Sequence, residues 1–145
     1  MIKIEKLKLK TQKQFELIDI TDKVKTVLES AGIDSGMLTV FSPHTTAAIR
    51  INHNEPLLIQ DIIKMIYRLV PVDINYSHDL FEIRSGIDAG ERSNGHAHVK
   101  AFLLGSSETI PVAHKEMQLG GKQSIFFVEL DGARDREVVI QVMGE

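Results

Sequence analysis

The sequence contains no cysteine and no tryptophan among its 145 residues. The lack of cysteine excludes disulfides, thiolate metal sites and cysteine nucleophiles, and it fits a reducing compartment. Six histidines are present instead, and imidazole titrates near neutral pH and binds metals in its neutral form. We therefore expect histidine to carry any reactive or metal-binding chemistry.

An excess of positive charge is also missing, since the formal net charge is −3. A general role on nucleic acids or membrane surfaces normally requires such an excess. No apolar stretch is long enough to cross a bilayer, and the first residues alternate charged and apolar side chains instead of forming a secretion signal. We expect a cytoplasmic protein with no nucleic-acid partner and no membrane partner.

Length and composition predict a single globular domain over residues 1–145. The hydrophobic fraction is 43% and the charged fraction 26%, which suffices for a sizeable core. No repeat or domain-sized linker interrupts the chain.

Alternating patterns and turn residues predict most of the chain as strands. The apolar residues near the N-terminus change phase, which predicts a bulge or a break near Glu5. The predicted strands cover residues 2–10, 14–20, 37–41, 47–51, 108–112, 124–130 and 137–143.

Two segments have helical spacing and helix-end residues. One begins with Thr21 as N-cap and ends at Gly32, and the longer one begins at Pro56 and ends before Pro71. Residues 98–104 fit either a short helix or a strand. The prolines, glycines and aspartates of residues 71–95 predict a long loop that is functional or mobile. Together these elements predict an α+β fold with a β-sandwich core, one long helix and one or two short ones.

The first candidate site segment surrounds His44, which follows an apolar strand and precedes Thr45 and Thr46. Strand ends often display functional side chains. The alternative is a histidine whose ring bonds a loop carbonyl, and the residue type does not decide between the two.

A second segment contains His96 and His98. On a strand both rings would face one side and could share a metal, whereas on a helix they would diverge by about 200°. His78 lies in the long loop, where the alternative is a solvated side chain. His53 and His114 are interpreted as structural.

Glu129 ends the apolar run before it and is the most informative carboxylate. A carboxylate emerging from a buried strand is a ligand, a base or the partner of a cation, and Arg134 and Arg136 are the candidate cations. Three histidines, or two with a carboxylate, would form an open site for zinc or a similar ion.

Several other polar residues are suited to binding anions or hydroxyl groups: Asn52, Asn54, Lys100, Ser106 and Ser107. The lysine and spacing of a Walker phosphate loop are absent. The Gly-x-Ser-x-Gly elbow of serine hydrolases is absent as well.

The ordered set of these motifs resembles the YjbQ-like family, whose members are often described as secondary thiamine-phosphate synthases. One of the matching pieces contains Ser42-Pro43-His44-Thr45-Thr46, and the order of the whole set makes the resemblance specific. The matching pieces span nearly the whole chain: residues 41–48, 51–52, 69–71, 76–79, 97–101, 104–107, 129, 131–132 and 144–145.

The resemblance implies a homotrimer of compact α+β domains that joins a pyrimidine-methyl diphosphate to a thiazole phosphate. It implies a small phosphorylated substrate and a divalent metal ion, Mg or Zn. On this basis we predict catalytic residues (His44, Asn52, His98, Glu129), substrate-binding residues (Thr45, Thr46, Lys100, Ser106, Arg134) and metal ligands (His44, His78, His98).

Two other functions fit the same residues. One is a metal-dependent hydrolase of a small phosphorylated or cyclic metabolite, with a bound water as nucleophile. The other is a non-catalytic module that binds a metabolite or a metal.

Overall fold

The chain folds as a mixed α+β domain built on two antiparallel sheets. The computed structural model describes residues 1–88 and 90–145, and over these residues it contains eight strands and three α-helices. The strands are β1 (Ile2–Lys10), β2 (Glu16–Asp19), β3 (Gly36–Phe41), β4 (Ala47–Asn52), β5 (Ser107–Ala113), β6 (Glu116–Met117), β7 (Ser124–Glu129) and β8 (Asp135–Gly144). The helices are α1 (Thr21–Ala31), α2 (Pro56–Leu69) and α3 (Gly95–Leu104), with a short 3₁₀ helix at Ser77–Asp79.

The larger sheet has the strand order β1-β8-β3-β5-β6, and the smaller one has the order β2-β7-β4. The main core joins buried residues of both sheets with the apolar side of α1, for example Leu38, Ile140, Phe127 and Val24. The predicted α+β class is therefore confirmed. The finer description as a β-sandwich stays a prediction.

The expected bulge or break near Glu5 is wrong. β1 pairs with β8 in unbroken register from Ile2 opposite Met143 to Lys10 opposite Asp135. Ile2 and Ile4 point outward and are 63% and 59% exposed, whereas Leu9 belongs to the core. The change of phase reflects apolar residues on the outer face of a regular strand.

The start of α1 also differs from expectation. Ile20 takes the N-cap position and Thr21 is the first helical residue. The Thr21 hydroxyl donates to Asp19 Oδ1 at 2.6 Å and accepts from the Ile125 amide at 2.8 Å, so it links the helix to β7 instead of capping it. Gly32 ends the helix in the left-handed region, as predicted.

α2 begins as predicted with Pro56 in the first turn. The Glu55 carboxylate caps it by accepting from the amides of Leu57 and Leu58. The helix is amphipathic, yet none of its residues is fully buried. It lies over the small sheet, and its side chains do not fill the space between the helix and the sheet.

The undecided segment near residue 98 is helical, and α3 begins three residues earlier than proposed. The Asp79 carboxylate accepts from the Gly95 amide at 3.0 Å and so attaches the loop to the helix start. A Cβ at position 95 would lie 2.6 Å from the Tyr76 Cβ, which explains why glycine stands there. Over the described residues, no helix is long and apolar enough to cross a membrane.

Candidate functional site

Glu129 lies at the centre of a fully buried polar cluster. Its side chain is 0% exposed. Oε1 accepts from the Thr11 hydroxyl at 2.7 Å and from Arg136 Nε at 2.8 Å. Oε2 accepts from the Leu130 and Asp131 amides at 3.0 and 3.1 Å, and from a terminal nitrogen of Arg136. Five donors therefore satisfy the carboxylate.

This cluster decides between the alternatives for Glu129. Burial by itself raises the pKa of a carboxyl group, but the hydrogen bonds from Arg136, Thr11 and the Asp131 backbone outweigh it and lower the Glu129 pKa. Arg136, which is 6% exposed, is the paired cation. Glu129 and Arg136 therefore form a buried, bidentate ion pair, in which Glu129 is the partner of a cation.

Arg136 extends the cluster to the segment that carries His44. Its terminal nitrogen donates to the Thr46 carbonyl at 3.1 Å and to the Thr46 hydroxyl at 2.9 Å. The next residue, Glu137, donates its amide hydrogen to His44 Nε2 at 2.9 Å. The buried ion pair thus fixes the backbone and the ring that face the adjacent cleft.

The His44 ring is held in one orientation. Nε2 lies 2.9 Å from the Glu137 amide nitrogen and 3.1 Å from the Glu137 carbonyl oxygen, and in the tautomer that accepts from the amide the neutral ring carries its hydrogen on Nδ1. Burial, followed by the positive charge of Arg136, lowers the His44 pKa. The ring is therefore neutral at physiological pH, and Nδ1–H is the donor that it has left for a ligand.

His44 shares an open cleft of about 400 Å³ with three other predicted site residues. Thr45 follows it in the chain, His98 comes from α3, and Ser106 comes from the turn between α3 and β5. Phe102 also lines this cleft and is 89% exposed. We call this the histidine cleft. Two imidazoles and two hydroxyl groups make it suited to a small polar ligand.

His98 contacts His78 on the side of the long loop. The two ring centroids are 4.6 Å apart in an edge-on arrangement. Burial, and then the neighbouring His78, lower the His98 pKa. His78 Nε2 in turn lies 3.5 Å from a carboxylate oxygen of Glu91.

The predicted three-histidine metal set is only partly assembled. His98 touches His78 and shares the cleft with His44. Within residues 1–88 and 90–145, however, no group of three or more His, Cys, Asp or Glu side chains is arranged to hold a metal ion. The described residues therefore show no assembled metal centre, and the divalent ion stays a prediction.

His96 and Lys100 lie apart from His98 on the helix, as the helical spacing requires. Both are buried, at 3% and 1% exposure. Lys100 Nζ lies 2.7 Å from His96 Nδ1 and 4.9 Å from the centre of the Tyr67 ring. Lys100, predicted to bind substrate, is thus enclosed beneath α2.

The remaining predicted site residues lie in two other places. Asn52 is exposed, accepts from the His53 amide, and lines a cavity beneath α2. Arg134 forms an ion pair with Asp131 at 2.6 Å. Thr46, at 5% exposure, is bound by Arg136. None of these three lines the histidine cleft.

Sequence reasoning missed two features of the site. Phe102 lies in the segment left undecided between helix and strand, and no residue pattern predicted its exposure. The second feature is the hydrogen bond from Arg136 to Thr46, two residues that lie 90 positions apart in the sequence. Only the proposed Glu129–Arg136 pairing indicated it in advance.

These observations define a class of protein: a small α+β domain with a histidine cleft supported by a buried ion pair. The chain belongs to the UPF0047 YjbQ-like family, whose model matches residues 5–145. A UPF0047 protein of Methanothermobacter thermautotrophicus is 46% identical over 141 residues, covering 97% of this chain and 92% of the relative. The UPF0047 protein YugU of Bacillus subtilis is 35% identical, with coverages of 97% and 99%.

Solved structures agree with this membership. A YbjQ-like protein of unknown function from Sulfolobus solfataricus P2 superposes with a TM-score of 0.91 and 34% identity, covering 100% of this chain and 99% of that one. A hypothetical protein from Aeropyrum pernix K1 gives a TM-score of 0.88 and 35% identity, with coverages of 99% and 99%.

Proposed function

We propose that the histidine cleft binds a small phosphorylated metabolite and catalyses a transfer in which diphosphate leaves. The reaction to test is thiamine-phosphate synthesis as a secondary activity. In it, the C–O bond of the pyrimidine-methyl diphosphate breaks and the thiazole nitrogen forms a C–N bond to the same carbon. The single observation that supports this proposal is the convergence of His44, Thr45, His98 and Ser106 on one cleft.

The chemistry follows from what these side chains can donate. Negative charge develops on the bridging oxygen as diphosphate leaves, and positioned donors stabilise such charge. His44 offers Nδ1–H, while Thr45 and Ser106 offer hydroxyl groups. His98, neutral because of its lowered pKa, can give a hydrogen bond or exchange a proton with the leaving group.

Lys100 and Arg134 are proposed to have other roles than those predicted from the sequence. Lys100 is enclosed, and Arg134 is neutralised by Asp131. Glu129 is proposed to be a positioning residue, because it acts on the cleft through Arg136 and Thr46. A homotrimer, a cytoplasmic location and a divalent ion (Mg or Zn) remain proposals that rest on the resemblance.

The first experiment compares the purified protein with His44→Ala, using both thiamine precursors with Mg²⁺ added. We expect the wild type to form thiamine phosphate and His44→Ala to be slower by about 100-fold, a usual effect of removing one positioned donor to developing charge. His114→Ala is the matched control, since His114 lies in the β5–β6 turn away from the cleft. Metal analysis and sedimentation of the same samples test the ion and the trimer.

The alternatives predict different results. Absence of thiamine phosphate from the wild type would contradict the proposed reaction. Release of inorganic phosphate from a panel of phosphorylated metabolites, lost in His44→Ala, would instead support a hydrolase. Binding of these compounds at the cleft without turnover would support a binding module.

A further inference from the structure

A second cavity lies between α2 and the outer face of the small sheet. Its volume is about 180 Å³, and its walls are mostly apolar. Its apolar side chains come from the small sheet, from α2 and α3, and from the residue before β2: Phe126, Val128, Ile62, Ile66, Leu104 and Phe15. A cavity of about 150 Å³ with such walls accepts a benzene ring, so this one can hold a single ring or a short chain.

The cavity exists because α2 covers the sheet incompletely. Ile62 and Ile66 face it, but no residue of the helix is fully buried. Tyr67, on the same helix, is 36% exposed. The lid of the cavity is therefore held in place without any fully buried side chain of its own.

A buried amine lies behind Tyr67. Lys100 is 1% exposed, and its contacts are the His96 ring and the face of Tyr67. Among the described residues, no salt bridge neutralises Lys100. A buried ammonium group without an anion is costly. A ligand carboxylate next to Lys100 would supply the missing negative charge.

The Tyr67 ring lies between the buried amine and Phe15, a residue of the cavity wall. Tyr67 has Lys100 Nζ 4.9 Å from its centre, and the centroid of the Phe15 ring, which lines the cavity, is 5.3 Å away. Lys100 is also one helical turn before Leu104, another wall residue, so both lie on the same side of α3. A ligand in the cavity can therefore reach Lys100 only if Tyr67 moves.

Arg50 is the competing cation because it lines the cavity directly. Its charge is already engaged, since Nη1 lies 3.2 Å from a Glu108 oxygen and also donates to the Leu104 carbonyl. Lys100 has no such partner. Charge complementarity therefore favours Lys100.

We propose that the cavity beneath α2 binds a small apolar carboxylate, with its ring or short chain against Phe126 and Val128 and its carboxylate paired with Lys100 in place of the Tyr67 ring. This site is separate from the histidine cleft and does not depend on the proposed reaction. Its ligand class is an aromatic or short-chain acid.

Calorimetric titration of the intact protein with phenylacetate tests this proposal, with 2-phenylethanol as the neutral counterpart. We expect phenylacetate to bind at least about tenfold more tightly than the alcohol, as a charge-assisted hydrogen bond would produce. Lys100→Met should remove that difference while leaving alcohol binding intact, which also shows that the variant is folded. Tyr67→Ala should strengthen phenylacetate binding, whereas Leu57→Ala, on the exposed side of α2, should leave it unchanged.

Three results would overturn the proposal. The first is that neither compound binds, and the second is that both bind equally well. The third is that Arg50→Met, but not Lys100→Met, loses the preference for phenylacetate over the alcohol. The last result would assign recognition to the Arg50 end of the cavity. Because none of these measurements uses thiamine precursors, failure here is distinct from failure of the proposed function.

Discussion

Two regions that hold predicted site residues have opposite character, the Glu129–Arg136 cluster and the histidine cleft. In the cluster, five donors satisfy one buried carboxylate, and no acceptor site is left for a ligand. In the cleft, His44, His98, Thr45 and Ser106 border open space. The comparison shows that residues of one sequence motif can divide into a structural group, which stabilises the fold, and a group that faces the cleft.

The two regions should respond differently to mutation. Changes in the cluster should act mainly on the free energy of unfolding, because a buried charge loses its partner. Changes in the cleft should act mainly on ligand binding or turnover. The predictions below run from the largest expected effect to the smallest.

Glu129→Ala should lower the free energy of unfolding by about 3–5 kcal/mol, because it leaves Arg136 charged and unpaired in the interior. Urea unfolding followed by circular dichroism measures this. Glu108→Ala, which removes a partly exposed partner of Arg50, should cost at most about 1 kcal/mol. The double variant Glu129→Leu with Arg136→Met should regain much of the loss, and a double variant as unstable as Glu129→Ala would contradict the ion-pair interpretation.

Acid should destabilise the protein in two steps. The pKa values of His44, His96 and His98 are lowered in the folded state, so the unfolded chain binds protons first as pH falls below 6.5. The pKa of Glu129 is also lowered, so its contribution is present above about 4.5 and is lost as pH falls through the folded value. In urea midpoints measured against pH, Glu129→Gln should keep the first step and show a smaller second one, to which Asp19, Glu91 and Asp131 also contribute through lowered pKa values.

His44→Ala should cost only about 1–2 kcal/mol of stability, because one backbone amide, that of Glu137, loses its acceptor. Its larger effect should be on turnover. A loss of stability as large as that of Glu129→Ala would place His44 in the structural cluster instead of the cleft.

Ser106→Ala should change the free energy of unfolding by less than about 0.5 kcal/mol, since the side chain is exposed. It should still weaken binding of a phosphorylated ligand severalfold, because one donor is removed from the cleft. Ser107→Ala is the neighbouring control, as Ser107 does not line this cleft.

The sequence predicted the elements whose signals are local. Pro56 and Gly32 marked helix ends because their backbone preferences act within a few residues. The phase change at Glu5 led to a wrong prediction, because apolar residues on the outer face of a regular strand give the same sequence pattern as a bulge. For the site, the histidine at position 44 could be selected, but its tautomer depends on Glu137, 93 residues away.

Glu129 shows why the remainder could not be predicted. Its pattern allowed a ligand, a base or an ion-pair partner, and those roles differ only in which donors surround the carboxylate. Thr11 reaches it from a position 118 residues earlier in the chain. Such contacts follow from tertiary packing, which residue spacing does not encode.

The most direct test of the account is a titration of the protein with inorganic diphosphate, followed by ¹H–¹⁵N spectra of the six histidine rings. The account predicts that the signals of His44 and His98 shift together and saturate, while those of His53 and His114 stay in place. Shifts of equal size at all six rings, or none at His44 and His98, would contradict the assignment of the histidine cleft as the ligand site.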